Sequence, residues 1–318
     1  MQNKIGSGFG RHSTTDDVLT GLDLTGRTAI VTGGYSGVGL AITQALAGAG
    51  AAVVVPARRL PTAQEAVAGI PRVTVAALDL GVQESVTAFA DAFLATGRRL
   101  DLIIASAGIM AAPLARTPEG WESHFAVNHL GHFTLVNRLA PALRDGARVV
   151  SLSSNGHYHS GIRWEDPQFL QGYDKWAAYG QSKSANGLFA VHLNSLGIQA
   201  FAAHPGVIDS SQLARHLPVE EMIAMGWLNE DGTPPAGWAF KTPSQGAATA
   251  VWASTSPALD GLGGLYLEDV EVAEVTTTFD FQSGGVMPHA VDPEQAARLW
   301  DLSAKLTGVD TIRSRSTR

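Results

Sequence analysis

Short apolar runs alternate with longer helical patterns over residues 28–204, and this alternation predicts strands and helices in turn. Each run is rich in Val, Ile or Ala and ends in small or polar residues. Six runs are typical of short buried strands: TAIVTGG, AAVVVPA, VTVAALD, LDLIIASAG, ARVVSLSS and IQAFAAHPG. Because parallel strands need long crossover connections, strands that alternate with helices indicate a parallel sheet covered on both faces. The pattern therefore predicts an α/β fold with a doubly wound parallel sheet, in one domain over residues 1–318.

Three less regular segments flank this core. Residues 1–25 form an N-terminal extension in which STTDDVLTGL predicts a short helix, capped by Ser13 or Thr14. Residues 207–242 are rich in Pro, Gly, Met and Trp, and a long insertion just past a strand end predicts a lid over a substrate site. The polar tail, residues 309–318, predicts disorder.

Composition narrows the class of protein. Hydrophobic residues make up 45% of the 318 residues and charged residues 16%, which suffices for a sizeable core. The net charge of −7 argues against nucleic acid as a partner. The chain has no cysteine, which excludes disulfides and thiolate metal sites and fits a reducing compartment. No apolar run reaches the ~18 residues of a membrane span, and no secretory signal is visible, so we predict a cytoplasmic protein.

A glycine-rich turn separates the first predicted strand from a helical segment. Gly33, Gly37 and Gly39 give the spacing T-G-x-x-x-G-x-G from Thr32 onward. Glycine lets the backbone approach a pyrophosphate closely, and the following helix offers free N–H groups and the positive end of its dipole. A glycine triplet alone would fit any tight strand-to-helix turn. With strands on both sides, dinucleotide binding in a Rossmann-type sheet is the favoured interpretation.

The second predicted strand bears on which dinucleotide binds. An NAD site usually carries an acidic residue about 20 positions after the glycines, which binds the ribose 2′-hydroxyl. Here VVVPARR ends in Arg58 and Arg59 with no carboxylate. Guanidinium groups bind a 2′-phosphate, whereas a carboxylate would repel it. The sequence predicts NADP(H) in preference to NAD(H); the alternative is two solvated surface arginines.

Tyr179 and Lys183 lie four positions apart in WAAYGQSKSANGLF, a segment that predicts one helix. Positions i and i+4 share a helix face, so the phenol and the ammonium point the same way. A nearby positive charge favours the phenolate and lowers the phenol pKa from its free value of about 10. The pair indicates a proton donor and acceptor; the alternative is a half-buried tyrosine beside a solvated lysine.

Together these motifs resemble the short-chain dehydrogenase/reductase family, and the resemblance extends over nearly the whole chain. The chain is similar in particular to the retinol-dehydrogenase-like and WW-domain-oxidoreductase-like branch. The similarity lies in the long stretch between Ser154 and Tyr179 and in the segments FGRHSTTDDVLTGLDLTGRTAIVTGG, SAGIM, NHLGHF and GGLYLEDVEVAE. The resemblance implies reversible hydride transfer between NADP(H) and an alcohol/carbonyl pair, and a homodimer or homotetramer.

The resemblance also implies which residues hold the cofactor. Ser106 stands where the family has an asparagine that supports the sheet, so we expect a rearranged hydrogen bond there. Ser210 replaces a more usual threonine and keeps the hydroxyl. The implied cofactor contacts are Thr32, Gly33, Tyr35, Ser36, Gly37, Val38, Gly39, Arg58, Arg59, Asp79, Leu80, Ser106, Ala107, Gly108, Asn128, Tyr179, Lys183, Pro205, Gly206, Ile208 and Ser210.

The resemblance implies a catalytic tetrad of Asn128, Ser154, Tyr179 and Lys183. Tyr179 would be the general acid or base, and Ser154 would hydrogen-bond the substrate oxygen. Lys183 would hold the nicotinamide ribose and lower the phenol pKa, and Asn128 would anchor a water. Ser153 is the alternative serine, because strand alternation places the two neighbours on opposite faces. The competing interpretation is a catalytically silent dinucleotide-binding regulatory or interaction protein.

The sequence says less about the substrate. Methionine and tryptophan side chains could wall an adaptable apolar pocket, which would favour bulky apolar alcohols, ketones or aldehydes; ordinary packing is the alternative. A charged substrate would need a basic partner, for which Arg163 and Lys241 are available. The predicted wall is Met110, Trp164, Met222, Met225, Trp227 and Trp238.

Four histidines lie near the predicted site. His157 and His159 could suggest a metal pair, but no further ligand accompanies them, so we predict no metal and place them at the cleft. His129 and His132 flank Asn128, and we expect them to be structural.

Overall fold

A mostly parallel sheet forms the centre of the chain. The computed structural model describes residues 2–208, 212–235, 240–278 and 284–316. Within these ranges the sheet has eight strands: β1 (Thr28–Val31), β2 (Ala52–Ala57), β3 (Val73–Ala77), β4 (Leu100–Ala105), β5 (Leu143–Leu152), β6 (Gln199–His204), β7 (Leu265–Glu268) and β8 (Glu271–Val272).

The strand order places β1 inside the sheet, in the sequence β3-β2-β1-β4-β5-β6-β7-β8. Every neighbouring pair is parallel except β7 and β8, which are antiparallel. Ala29 of β1 lies opposite Val53 on one side and Leu102 on the other. The order reverses between β1 and β4. In doubly wound folds, ligands bind beyond the carboxyl ends of the strands at such a reversal.

The six predicted strands are confirmed as β1 to β6, but the sequence pattern missed β7 and β8. The run LYLEDVEV is short and broken by acidic residues, which hides a buried strand from a search for apolar runs. Tyr266 and Leu267 are nevertheless fully buried. The turn that follows has positive φ at Asp269 and Val270, 48° and 61°, so two non-glycine residues adopt the left-handed region there.

Helices cover both faces of the sheet. They are α1 (Thr15–Leu19), α2 (Gly37–Gly48), α3 (Leu60–Ala66), α4 (Gln83–Ala95), α5 (Ser123–Phe125), α6 (Gly131–Leu139), α7 (Lys175–Ser195), α8 (Val219–Ala224), α9 (Pro243–Thr255), α10 (Pro293–Thr307) and α11 (Thr311–Ser316). Leu46 of α2 and Trp252 of α9 belong to the core on one face. Phe89 of α4 and Phe133 of α6 belong to the core on the other. The predicted Rossmann-type doubly wound sheet, in a single domain, is confirmed.

The N-terminal extension is held to the rest of the fold. The predicted short helix is α1, and its cap is Thr14, whose side chain and that of Asp17 each accept the other's backbone N–H. Ahead of α1, the Glu271 carboxylate accepts the N–H groups of Ile5 and Ser7 at 2.9 and 2.8 Å. These contacts anchor the extension to β8.

The tail differs from the expectation of disorder. Residues Thr311–Ser316 form α11, in which Ile312 is 4% exposed. Just before it, Asp310 accepts the indole N–H of Trp300 at 2.9 Å and pairs with Arg313 at 2.7 Å. One buried isoleucine and an ion pair fix a segment whose composition alone is that of a solvated tail.

The irregular segment 207–242 lies between β6 and α9. Its two ends meet in a bridge between Ile208 and Lys241, where Lys241 N–H donates to the Val207 carbonyl at 2.8 Å. Between them the structure describes α8 and a short turn before it. In the part of the chain that is described, no helix combines the length and apolarity that crossing a membrane requires.

Candidate active site

The glycine turn has the geometry of an anion cradle. Helix α2 begins at Gly37, and its N-cap, Ser36, makes no side-chain capping bond, so the first N–H groups of the helix keep their donors for a ligand. Gly37 has φ +50°, and a methyl group added there would have no atom within 4 Å. On the inner side, a methyl added at Gly39 would collide with the carbonyl oxygen of Gly33. Open space above free N–H groups fits a pyrophosphate.

Other predicted cofactor residues border the same edge. Arg58 and Arg59 follow β2 and are exposed. Asp79 follows β3, and its carboxylate accepts the Gly81 N–H at 2.9 Å, which shapes the turn containing Leu80.

The Ala107 turn and the segment after β6 complete this edge. A methyl group added at Gly33 would lie 3.0 Å from Cα of Ala107, so the glycine turn and this second turn are in close contact. Beyond β6, Gly206 has φ +80° and packs against the side chain of Lys241. Ile208 is buried at the base of the irregular segment. Ser210 lies outside the described residues.

The predicted tetrad is brought together. Tyr179 and Lys183 share a face of α7, with the ammonium 5.6 Å from the centre of the phenol ring. A methyl group built on Gly108 would lie 3.2 Å from Oδ1 of Asn128 and 3.6 Å from Nζ of Lys183, so both side chains reach the same turn.

The two candidate serines take different positions. Ser153 is buried, and its hydroxyl donates to the Lys183 carbonyl at 2.9 Å. Ser154 lies two residues past β5, and its hydroxyl is close enough to the Tyr179 phenol to act on the phenol pKa. Its oxygen also accepts the Gly156 N–H at 3.1 Å. Ser154 therefore shares the site with the tyrosine, and Ser153 fastens α7 to the sheet.

Asn128 lies in a single π turn, Ala126–Leu130, a local irregularity that is frequent at functional sites. Its amide donates to the Ile109 carbonyl at 3.0 Å and to the Ser182 hydroxyl at 2.9 Å, and its oxygen accepts the Ile109 N–H at 2.8 Å. Ser182 in turn donates to the Tyr179 carbonyl at 2.7 Å. The side chain thus ties the turn after β4 to α7.

Burial controls the titration of the tyrosine and the lysine. It raises the pKa of Tyr179 to about 12, although the hydrogen bond with Ser154 acts to lower it. Burial also lowers the pKa of Lys183 to about 8. The ammonium donates to the Leu152 carbonyl at 2.9 Å. Desolvation is the largest effect on the phenol because the ring is only 2% exposed. The lowering expected from Lys183 together with the oxidised nicotinamide stays a prediction.

Two glycines that the sequence analysis did not single out shape this site. A methyl group added at Gly156 would overlap Cε1 of the Tyr179 ring. A methyl added at Gly180 would lie 2.7 Å from the Gly156 carbonyl oxygen. The sequence marks these glycines only by their neighbours: Gly156 lies two residues after Ser154, and Gly180 directly follows Tyr179. Gly156 thus leaves room for the Tyr179 ring, and Gly180 lets α7 approach the backbone of the turn that contains Gly156.

An apolar wall surrounds the tyrosine. Met110, Ala111 and Leu217 are buried with Tyr179. The indole of Trp176 lies 6.5 Å from the phenol ring, centre to centre. Partly buried side chains that pack on this cluster are Trp176, Leu213, Ala214, Met222 and Trp227.

Half of the six predicted wall residues belong to this cluster: Met110, Met222 and Trp227. Trp164 does not, because it packs in another cluster and lies under the guanidinium of Arg298 at 4.2 Å. Met225 is the C-cap of α8. Trp238 lies outside the described residues.

The basic residues considered for a charged substrate are paired with carboxylates. Lys241 is 3% exposed and lies 2.5 Å from Asp269. Arg163 lies 3.6 Å from Asp166 and stacks on the ring of Phe169 at 4.3 Å. Each of these two cations is therefore neutralised by a carboxylate and leaves no unpaired positive charge for a substrate.

The histidines near the site are engaged by the protein. His157 donates from Nδ1 to the Ser154 carbonyl at 2.7 Å, and its Nε2 accepts the Met287 N–H at 3.1 Å. The ring of His159 lies 5.7 Å from that of Trp176. Both nitrogens of His157 are therefore used, and the described residues contain no group of three or more His, Cys, Asp or Glu arranged to hold a metal.

Comparison with known proteins identifies the family. A sequence profile described as short chain dehydrogenase matches residues 27–221. The "Probable oxidoreductase" of Streptomyces lividans is 46% identical over 89% of this chain and 98% of its own. Polyprenol dehydrogenase of Mus musculus is 37% identical over 89% and 84%. Retinol dehydrogenase 12 of Mus musculus is 34% identical over 91% and 89%.

Solved structures agree with this. An uncharacterised protein from Mycobacterium Paratuberculosis superposes with a TM-score of 0.72 at 31% identity, over 94% of this chain and 99% of its own. An angucycline C-6 ketoreductase with bound NADP gives a TM-score of 0.59 at 26% identity, over 78% and 95%. The chain therefore belongs to the short-chain dehydrogenase/reductase family, in its retinol-dehydrogenase-like branch, and is an oxidoreductase of the kind that binds a nicotinamide dinucleotide.

Proposed function

We propose that the protein is an NADP(H)-dependent oxidoreductase that interconverts apolar alcohols with ketones or aldehydes, with Tyr179 as general acid and base. One observation carries the proposal. At the carboxyl edge of the sheet the phenol of Tyr179 meets Ser154, and the cradle formed by Gly33 and Gly37 borders the same edge. A proton donor beside a dinucleotide cradle is the arrangement that carbonyl reduction requires.

The residues would divide the chemistry as follows. The bound nicotinamide supplies the hydride for reduction and takes it back in oxidation. Ser154 would donate a hydrogen bond to the carbonyl oxygen and stabilise the charge that develops there. Tyr179 would transfer its proton to that oxygen, which becomes the alcohol hydroxyl. Lys183, held by the Leu152 carbonyl, would balance the phenolate that remains.

The raised pKa of Tyr179 keeps the phenol protonated, which is the form that reduction requires. A phenol with a pKa of about 12 is fully protonated at neutral pH and ready to donate. The alkoxide that forms from a carbonyl is a much stronger base than phenolate, so this proton transfer is downhill. Oxidation needs the phenolate first. We propose that the Lys183 ammonium and the positive charge of the oxidised nicotinamide stabilise this phenolate.

The apolar wall supports the substrate class. Met110, Leu217 and Trp176 offer aliphatic and aromatic surface next to the phenol, and the nearby cations Lys241 and Arg163 already face carboxylates. The relatives named polyprenol dehydrogenase and retinol dehydrogenase 12 are 37% and 34% identical to this chain. We propose a bulky apolar substrate, covered by the 207–242 segment as a lid.

Arg58 supports the choice of NADP(H), because it is exposed just past β2 without a carboxylate beside it in the sequence. Arg58→Ala is expected to weaken NADPH binding by ~1.5–3 kcal/mol, the loss of a charge-assisted hydrogen bond, and to leave NADH unchanged. Titration of cofactor fluorescence measures both. Arg98→Ala is the control, since Arg98 precedes β4 and so lies at the opposite edge of the sheet. Equal losses for NADPH and NADH would contradict the assignment.

The function itself is tested by following nicotinamide absorbance over a panel of apolar ketones, aldehydes and alcohols, with NADP(H) and with NAD(H). We expect turnover with bulky apolar carbonyls and NADPH, and little with small charged ones. Tight binding of the cofactor without turnover on any member of the panel would favour the silent regulatory protein instead.

A further inference from the structure

His132 of α6 connects two parts of the site that are far apart in the chain. Its Nε2 lies 2.8 Å from Oγ1 of Thr32, at the start of the glycine turn, and its Nδ1 lies 3.1 Å from the Asn128 carbonyl oxygen. The ring is 1% exposed, so it touches neither solvent nor substrate. His129, the buried histidine next to Asn128 in the sequence, faces Ser303 instead, at 2.7 Å.

The partners fix where the protons lie. A carbonyl oxygen can only accept, so Nδ1 of His132 must carry the hydrogen. Burial lowers the pKa of His132 to about 4, so the ring is neutral and Nε2 is an acceptor. The Thr32 hydroxyl then donates its single proton to Nε2, in preference to the Ile104 carbonyl at 3.4 Å. This leaves the lone pairs of Oγ1 free to accept.

The threonine oxygen uses those lone pairs on the turn after β4. It accepts the N–H groups of Ser106 and Ala107 at 2.9 and 3.0 Å. Both donors are backbone groups, so these bonds do not depend on the serine that stands at position 106. A continuous chain of hydrogen bonds therefore runs from this turn through Thr32 and His132 to the π turn that contains Asn128.

We propose that His132, as the neutral Nδ1–H tautomer, is a positioning residue that couples the dinucleotide turns to the Asn128 turn. The inference rests on the proposed function only for its kinetic readout. Without the ring, the Thr32 hydroxyl loses its acceptor Nε2 and can rotate toward the Ile104 carbonyl. The lone pairs of Oγ1 then turn as well, so the N–H groups of Ser106 and Ala107 lose their present hydrogen-bond geometry. The Asn128 carbonyl loses its side-chain donor as well. Both changes move backbone that borders the reacting atoms.

Three substitutions separate positioning from simple packing. His132→Leu removes both bonds; His132→Asn keeps a donor at the position of Nδ1; His132→Gln keeps an acceptor at the position of Nε2. We expect kcat/KM per cofactor-binding site to fall by roughly 10- to 100-fold in the leucine variant, because sub-ångström misplacement costs that much. The asparagine and glutamine variants should each recover part of this loss. NADPH should dissociate about tenfold more readily from the leucine variant.

His129→Leu is the matched control, since it removes an equally buried ring from the same segment. It should lower the melting temperature as much as His132→Leu while kcat/KM per cofactor-binding site stays within about threefold of wild type. Equal kcat/KM for His132→Leu and wild type would overturn the proposal. So would equal loss in the leucine, asparagine and glutamine variants, which would indicate packing alone.

A measurement on the unmodified protein covers the case in which the leucine variant does not fold. Ring ¹⁵N shifts distinguish Nδ1–H, Nε2–H and doubly protonated histidine, and the His132 signals are assigned as those missing from His132→Asn. Nδ1–H at neutral pH is expected, and either other form would overturn the proposal. This readout and NADPH titration need no turnover, so they remain decisive if the proposed reaction is wrong.

Discussion

Tyr179→Phe is expected to lower kcat by about 10³-fold, within the range that a positioned acid or base contributes. Affinity for NADPH should change by no more than about threefold. The substitution removes one oxygen and leaves the ring, which is 2% exposed and packed with Met110 and Leu217. The Ser154 hydroxyl and the Lys183 ammonium keep their backbone contacts. The loss should therefore fall on the proton transfer and not on the fold.

Single-turnover absorbance at saturating NADPH measures this step, and Tyr173→Phe is the control. Tyr173 is another tyrosine near the site, whose hydroxyl donates to the Ala112 carbonyl at 2.7 Å. Its removal should cost stability but change kcat by less than about threefold. If Tyr179→Phe kept a tenth or more of wild-type activity, another group would have to supply the proton.

Much of the fold can be predicted from the sequence because buried parallel strands are nearly continuous apolar runs. The run Val53, Val54 and Val55, for example, predicts β2 from the sequence alone. The apolar pattern misses β7 because the strand has only three apolar residues, Leu265–Leu267, before the acidic residues Glu268 and Asp269. Helix α11 escapes for a related reason, since only Ile312 is apolar enough to anchor it.

Without the family resemblance, the site could be predicted only where residue spacing determines the geometry. Tyr179 and Lys183 share a face because four residues make one helical turn, and the glycine turn works through backbone alone. Contacts between distant segments leave no such trace. One bond of His132 reaches Thr32, 100 positions away, and nothing in the sequence separates His132 from His129.

The phenol pKa is the clearest case of this limit. The sequence places a cation near Tyr179, which argues for a lowered pKa. The structure adds how deeply the ring is buried and that the ammonium is directed at the Leu152 carbonyl. Burial raises the phenol pKa to about 12, and the influence that opposes it is the hydrogen bond with Ser154. The direction of such a pKa shift depends on both burial and nearby charge. Sequence spacing can show that a charge is near, but it cannot show how deeply the phenol is buried.

Gly156→Ala is expected to lower kcat by about 100-fold through geometry alone, although it changes no group that takes part in the chemistry. The added methyl would overlap Cε1 of Tyr179 and lie 2.7 Å from Cδ1. Either the ring moves, or the turn moves with it. The Gly156 N–H donates to Ser154, so a shifted turn displaces the serine instead. Both outcomes separate the phenol from Ser154, and overpacking should also cost about 1–3 kcal/mol of stability.

Gly161→Ala is the matched control, because a methyl there would meet His289 at 3.4 Å, an ordinary contact, within the same segment of chain. NADPH affinity should stay near wild type in both variants, since the glycine turn after β1 is untouched. Combining Gly156→Ala with Tyr179→Phe tests the cause: once the phenol is gone, the alanine should reduce kcat by less than about threefold more. A full additional 100-fold loss in the double variant would mean that Gly156 acts on the reaction by some route other than the tyrosine. Non-additivity would show that the bare backbone at this position exists to seat the phenol against Ser154.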